Sequence, residues 1–154
     1  MKYFLQQRSQ KNSDEGFFVK KDDGENKYLV KTENGKKSCL NIFDLNENVL
    51  IKIRKKLFRY DVVDSKDELL FCIKPKKKRY ILISGLDILK NIRVEGSYST
   101  MNFDIYRPEE ILAQVYKKIV HVFNTYCCDI IDEQNALYYI AISIVINSFT
   151  KKGK

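Results

Sequence analysis

The sequence predicts a mainly β protein, a closed antiparallel barrel of about twelve strands enclosing one hydrophobic C-terminal α-helix. Three observations carry this reading. Short runs of alternating apolar and polar residues, divided by polar turn residues, fill the chain up to residue 131. The stretch 132–149 is instead apolar on every side, with Ala136, Leu137, Tyr138, Tyr139, Ile140, Ala141, Ile142, Ile144, Val145 and Ile146 interrupted only by Ser143. A helix without a polar face has to be enclosed by protein or by lipid. The 14 residues from Ala136 to Phe149 are too few for a bilayer core, which takes about 20. Many strands followed by one oily helix therefore read as a sheet curled around that helix.

Taken in order, the candidate strands are 2–7, 16–20, 27–32, 38–43, 49–55, 59–64, 68–74, 79–84, 91–96, 101–106, 111–118 and 124–131. Polar breakers separate them: Asp22-Asp23-Gly24, Asn34-Gly35, Asn46-Glu47-Asn48, Ser65-Lys66-Asp67 and Arg107-Pro108-Glu109. Asn34-Gly35 suits a two-residue hairpin turn, because both residue types tolerate positive φ. Val49, Ile51 and Ile53 share one strand face, with Lys52 and Arg54 on the other; Leu69, Phe71 and Ile73 repeat the pattern, as do Ile111, Ala113 and Val115. The closing aliphatics Ile53, Ile73, Val94 and Val115 follow one another at separations of 20, 21 and 21, as in a meander of similar hairpins. A longer echo matches Phe43-Asp44-Leu45 and Lys55-Lys56-Leu57 to Phe103-Asp104-Ile105 and Lys117-Lys118-Ile119, at offsets of 60 and then 62, as two related half-barrels would. No linker long enough to divide the chain occurs, so residues 1–150 are expected to form one domain, with 151–154 a basic tail.

The terminal segment favours helix over a buried strand. Asp132 is placed to cap it by accepting from the backbone amide of Gln134 or Asn135, and Glu133 suits the first turn. The β-branched Ile140, Ile142, Ile144, Val145 and Ile146 argue the other way; length, cap, and the Ala and Leu content decide for helix.

Composition bounds the function classes. At 154 residues, 44% of them hydrophobic and 12% aromatic, the chain can bury a sizeable core and is not a disordered one. Its net charge of +8 suits acidic partners such as phospholipid headgroups or nucleic acid. The abundance of Lys, Asn, Ile and Tyr offers an alternative source of that charge, since an AT-rich coding sequence produces the same bias. Cys39, Cys72, Cys127 and Cys128 lack metal-ligand spacing, and Cys127 and Cys128, adjacent on a strand, point to opposite faces. Reduced, half-buried thiols are expected. MKYFLQQ at residues 1–7 does not resemble a signal peptide, so a cytoplasmic location is expected.

The order of parts resembles a known family. Hairpins are punctuated by steps such as Lys55-Lys56-Leu57-Phe58 and Lys117-Lys118-Ile119. An acidic step (Asp129, Asp132, Glu133) then leads into one apolar helix ending Ile144-Val145-Ile146. Over residues 3–149 this is similar to the LURP-one-related family of the tubby C-terminal-like superfamily, which also includes the phospholipid scramblases. The resemblance implies a twelve-stranded β-barrel threaded by the C-terminal helix, in a family whose small bacterial-type members mostly lack an assigned activity. Several turns here are Asn/Lys-rich where relatives have Gly-rich or Asp-Gly ones. The chain has no acidic Ca²⁺-loop pattern onto which scramblase-type calcium binding could be carried.

Catalytic signatures are absent: there is no G-x-S-x-G, no H-E-x-x-H and no Gly-rich phosphate loop among the six glycines. The one histidine, His121, lies between Val120 and Val122 and reads as a strand residue, although a nucleophile could meet it in space. The expectation is no enzyme, no cofactor and no metal. The basic clusters are the candidate lipid- or anion-binding residues. Lys52, Arg54, Lys55, Lys56 and Arg59 bracket one turn; Lys74, Lys76, Lys77, Lys78 and Arg79 bracket another; Lys117 and Lys118 stand in the matching place of the second half. On a closed barrel such strand-end cations can gather at one rim. By analogy with tubby-like domains that recognise phosphoinositide headgroups, the expected activity is reversible binding of anionic phospholipid at a membrane surface. The alternatives are cations that merely solvate turns on a cytosolic protein-interaction or scaffold domain, and nucleic-acid binding with Tyr60, Tyr80 or Tyr106 stacking on bases. An acyl-chain site in the lumen is disfavoured by the helix that would fill it.

Overall fold

In the computed structural model, which describes residues 1–7, 16–76, 79–84, 86–97, 102–120 and 123–152, the alternating runs form an antiparallel sheet and the apolar terminal run forms a helix. Among the described residues the strands are β1 (Lys2–Gln7), β2 (Gly16–Lys21), β3 (Asn26–Glu33), β4 (Lys36–Phe43), β5 (Val49–Lys55), β6 (Tyr60–Asp64), β7 (Leu69–Lys76), β8 (Arg79–Ser84), β9 (Arg93–Ser97), β10 (Asn102–Arg107), β11 (Glu110–Val120) and β12 (Phe123–Ile130). Short 3-10 turns occupy Asp87–Leu89 and Glu133–Asn135, and α1 spans Ala136–Lys152. The helix thus continues past residue 150, where the basic tail was expected to begin. Each strand pairs with its sequence neighbours, and β1 pairs with both β2 and β12, so the hydrogen-bonded order returns on itself as a barrel.

The core is built by the period-two pattern. Ile53, Ile73, Val94 and Val115, on β5, β7, β9 and β11, are all buried, at no more than 2% exposure. They recur at near-equal spacing because each is the inward residue of one hairpin unit. All twelve strands contribute to the same apolar cluster, from Leu5 on β1 to Ile130 on β12. At its centre lies α1. Tyr139, Ile140, Ala141, Ile142, Ile144 and Val145 expose no surface, and Ile146 exposes 2%. The one polar residue among them, Ser143, donates from Oγ to the Tyr139 carbonyl at 2.7 Å, a back-bond to the preceding turn that satisfies it without water. Its oxygen also lies 3.1 Å from Cys128 Sγ. The longer echo falls on β4–β5 and β10–β11, hairpins six strands apart in the ring. Its residues are not in register, since Asp44 opens a turn whereas Asp104 lies within β10.

Three local expectations are corrected. Asp132 does not cap the helix through its side chain; a 3-10 turn intervenes before α1, and its backbone at ψ 80° turns the carboxylate elsewhere. There it accepts from Asn135 Nδ2 at 2.8 Å and from the Tyr139 hydroxyl at 2.7 Å. Burial and that carboxylate together push the Tyr139 phenol well above its ordinary range. β7 runs through Pro75 to Lys76 instead of stopping at Lys74, because a proline beside the hairpin end costs only one ladder bond. Cys72, Cys127 and Cys128 are buried outright, and only Cys39 is partly exposed.

The turns follow their chemistry. Asn34 and Gly35 have φ of 52° and 73°, as a tight hairpin turn demands. The turns after β4 and β6 share one construction. Asp44 Oδ1 accepts from the amides of Asn46 and Asn48, both at 2.9 Å, and Asp64 Oδ1 accepts from Lys66 and Glu68 at 2.8 and 2.9 Å. The left-handed positions are taken by Glu47 and Asp67, with φ of 66° and 65°.

Gly96 is required by space. It faces Phe103 across the β9–β10 ladder, and a Cβ there would meet the Asn102 carbonyl oxygen, with Phe103 Cδ1 at 2.6 Å and Phe103 Cα at 2.7 Å. Backbone cannot rotate out of the way as a side-chain tip can. Gly96→Ala is expected to destabilise by about 3 kcal/mol, read as a lower denaturant midpoint. A midpoint equal to the parent's would show that β9 and β10 are not held at this spacing.

Candidate functional site

Strand direction alternates around the sheet, so successive connections fall on opposite ends. The turns at 22–25, 44–48, 65–68 and 107–109 and the entry to α1 share one end. Asn34-Gly35, the turn at 56–59, the β7–β8 junction and the last residues of β11 share the other. The first end carries more acids than bases: Asp22, Asp23, Glu25, Asp44, Glu47, Asp67, Glu68, Asp87, Glu109, Asp132 and Glu133 stand there beside Lys21, Lys66, Lys90 and Arg107, with Lys21 paired to Asp23 and Glu25 and Lys90 to Asp87. Turn chemistry explains part of this, because aspartate accepts the amides that tight turns leave unpaired. In the case of Asp44, the backbone and side-chain bonds from Asn48 hold its carboxyl below the ordinary range.

The second end is basic. It carries Lys36 at the start of β4, Lys55, Lys56 and Arg59 around the β5–β6 turn, Lys76 at the end of β7, and Lys117 near the end of β11. The backbone places Arg79 and Lys118 there as well; Lys77 and Lys78 lie outside the described residues, as does His121.

The candidate cations divide into two groups. Some are already paired. Lys52 Nζ, in mid-strand, meets Asp67 Oδ1 at 2.9 Å, and Arg54 meets Glu33 at 2.9 Å and Asp67 at 3.6 Å. Arg59 Nε donates to Asp61 Oδ1 at 2.8 Å, and the same oxygen accepts from Cys72 Sγ at 3.3 Å. Burial works against ionising Asp61, but the bonds from Arg59 and Cys72 and the nearby positive charges outweigh it, so its carboxyl sits below the usual range. The others remain available: Lys55, Lys56, Lys74 and Lys117 make no ion pair among the described residues.

Sequence reasoning missed one feature of this end. The amide of Lys56 donates to the Arg59 carbonyl at 2.8 Å, leaving Leu57 and Phe58 as the tip of the β5–β6 hairpin. They are 85% and 80% exposed. Two large apolar residues between cations in a turn were the signal, and the strand pattern had claimed the neighbouring residues instead.

Other chemistry finds less support. Tyr60 and Tyr80 are buried, at 5% and 2%, so neither can stack on a base; of the three tyrosines proposed for that role only Tyr106 is partly exposed. Burial pushes the Cys128 thiol up to about 12 and also raises Cys72, the opposite of what a reactive thiolate needs. Among the described residues no three His, Cys, Asp or Glu side chains are grouped to hold a metal, and no helix is long and apolar enough to cross a membrane.

Comparison with known proteins bears on the fold. No curated protein matches the chain. The X-ray structure of a protein from Arabidopsis thaliana is similar, with a TM-score of 0.65 and 19% identity, covering 95% of this chain and 91% of that one; at that identity the likeness concerns the fold alone. The profile of the LURP-one-related family, part of the tubby C-terminal-like superfamily, matches residues 1–147. With nearly its whole length matched, this chain belongs to the LURP-one-related family.

Proposed function

We propose that this protein is a non-enzymatic binding module that docks reversibly on anionic phospholipid headgroups at a membrane surface, through its basic end. One observation carries the reading: cations from separate hairpins meet at one end of the sheet while the acidic turns meet at the other. A closed barrel held open by its helix would keep that polarity rigid. An anionic surface then attracts one end and repels the other, so adsorption is oriented. Each cation within a Debye length contributes about 1 kcal/mol, and four unpaired lysines make adhesion useful yet reversible. Tubby-like domains that recognise phosphoinositides support the reading by analogy. A peripheral location on the cytoplasmic face of a membrane fits it.

The competing reading is a protein-interaction scaffold whose lysines only keep strand ends soluble. Co-sedimentation with vesicles of phosphatidylcholine alone, or with added phosphatidylserine, at low and high salt, separates the two. The expected result is binding to the anionic vesicles only, lost at high salt. Changing Lys55→Glu and Lys56→Glu together should weaken it about a hundred-fold, given about 1 kcal/mol per charge and a change of four charges, discounted for screening. Unchanged partitioning of the double variant would end the lipid reading and leave the scaffold. Nucleic acid would use the same charge, and a mobility shift of duplex DNA or RNA at matched salt tests it.

A further inference from the structure

We propose that the Leu57-Phe58 tip enters the headgroup–acyl boundary of an anionic bilayer, so that the protein inserts shallowly as well as adsorbing; this rests on the lipid reading above and adds a mode to it. Leu57 and Phe58 are the most exposed large apolar side chains described, at 85% and 80%. The other strongly exposed ones, Leu45, Leu69 and Ile131, stand at the acidic end, where an anionic surface is repelled. Among the described residues the tip alone pairs strongly exposed apolar side chains with adjacent cations that make no ion pair, Lys55 and Lys56. Its neck is held on both sides, by the Lys56–Arg59 backbone bond at 2.8 Å and by the Arg59–Asp61 ion pair at 2.8 Å. A fixed neck keeps the tip presented and lowers the ordering cost of insertion. Apolar matter below a layer of negative charge is what a bilayer interface offers, and this tip matches it in that order. A phosphodiester backbone offers no apolar layer to receive Leu57.

The chain contains no tryptophan, so Phe58→Trp introduces a single fluorescent reporter at a site where the larger ring meets solvent. With vesicles containing phosphatidylserine, its emission should shift to shorter wavelength and be quenched by brominated acyl chains. Phosphatidylcholine vesicles and soluble glycerophosphoserine should leave it unmoved. A Leu45→Trp variant at the acidic end should stay unshifted with every vesicle. Leu57→Ser with Phe58→Ser should reduce vesicle binding about ten-fold while the salt dependence persists. Co-sedimentation of the Phe58→Trp protein with anionic vesicles without a spectral shift overturns insertion and leaves headgroup adsorption standing. Absence of co-sedimentation by the parent overturns both. Equal shifts at positions 45 and 58 overturn the oriented insertion.

Discussion

Replacing Ile142 with aspartate is expected to leave the chain without a stable fold. Ile142 exposes no surface and lies mid-helix among residues drawn from the whole sheet. Removing a buried isoleucine costs about 2–5 kcal/mol. The carboxylate put in its place has no partner, and holding an unpaired charge in such surroundings costs several kcal/mol more, even if it is protonated first. Together these approach the whole stability of a domain, about 5–15 kcal/mol. The variant should be insoluble, or soluble with no cooperative thermal transition by circular dichroism. Two comparisons isolate the cause. Ile142→Val should cost about 1 kcal/mol, and Leu57→Asp, which puts the same charge on a residue 85% exposed, should shift the midpoint by about 0.5 kcal/mol or less. A parent-like melting temperature for Ile142→Asp would mean that the helix is not enclosed.

The strands could be read from the chain because alternation is a local property that burial on one face enforces. Val49, Ile51 and Ile53 face one way and Lys52 and Arg54 the other whatever the neighbouring strand is. The helix could be read because an all-apolar run admits few environments, and enclosure overrode the β-branched bias of Ile140 to Ile146. Boundaries at Lys76 and Ala136 were missed, since Pro75 and Asp132 announce a break whose position depends on backbone angles. The gathering of cations at one end was open to inference. In an antiparallel meander, alternate connections share an end, so the β5–β6 turn and the β7–β8 junction had to fall on the same one. Their partners were not open to it. Glu33 reaches Arg54 across 21 residues and Asp67 reaches Lys52 across 15, by a register that no local pattern encodes. Tyr60, named for base stacking in the nucleic-acid alternative, is buried with Val62 in the core.

Removing residues 132–154 is expected to abolish soluble folding, because the sheet has no other core. A small barrel of about eight strands can fill its interior with its own side chains, whereas a wider one encloses a cavity. Among the described residues the inward positions are mostly apolar, among them Leu5, Val30, Ile53, Ile73, Ile105, Val115 and Ile130. Without α1 those residues would line either water or a void. Water in an apolar lumen finds no hydrogen-bond partners, and a void of helix size forfeits the dispersion contacts that close packing supplies. The remaining route is for the sheet to open between two strands and present its inner face and unpaired edges to other copies, which is a path to aggregation. β1 is the place to watch, since its pairing with both β2 and β12 closes the order. In the full-length chain the amides of β1 should exchange as slowly as those of β5 and β6. The truncated chain should elute as aggregate, or as an expanded species without slow-exchanging amides. A compact monomer with native-like protection in β1 and β12 would show that the strands hold their curvature unaided, and that the helix is an occupant of the barrel and not the reason for it.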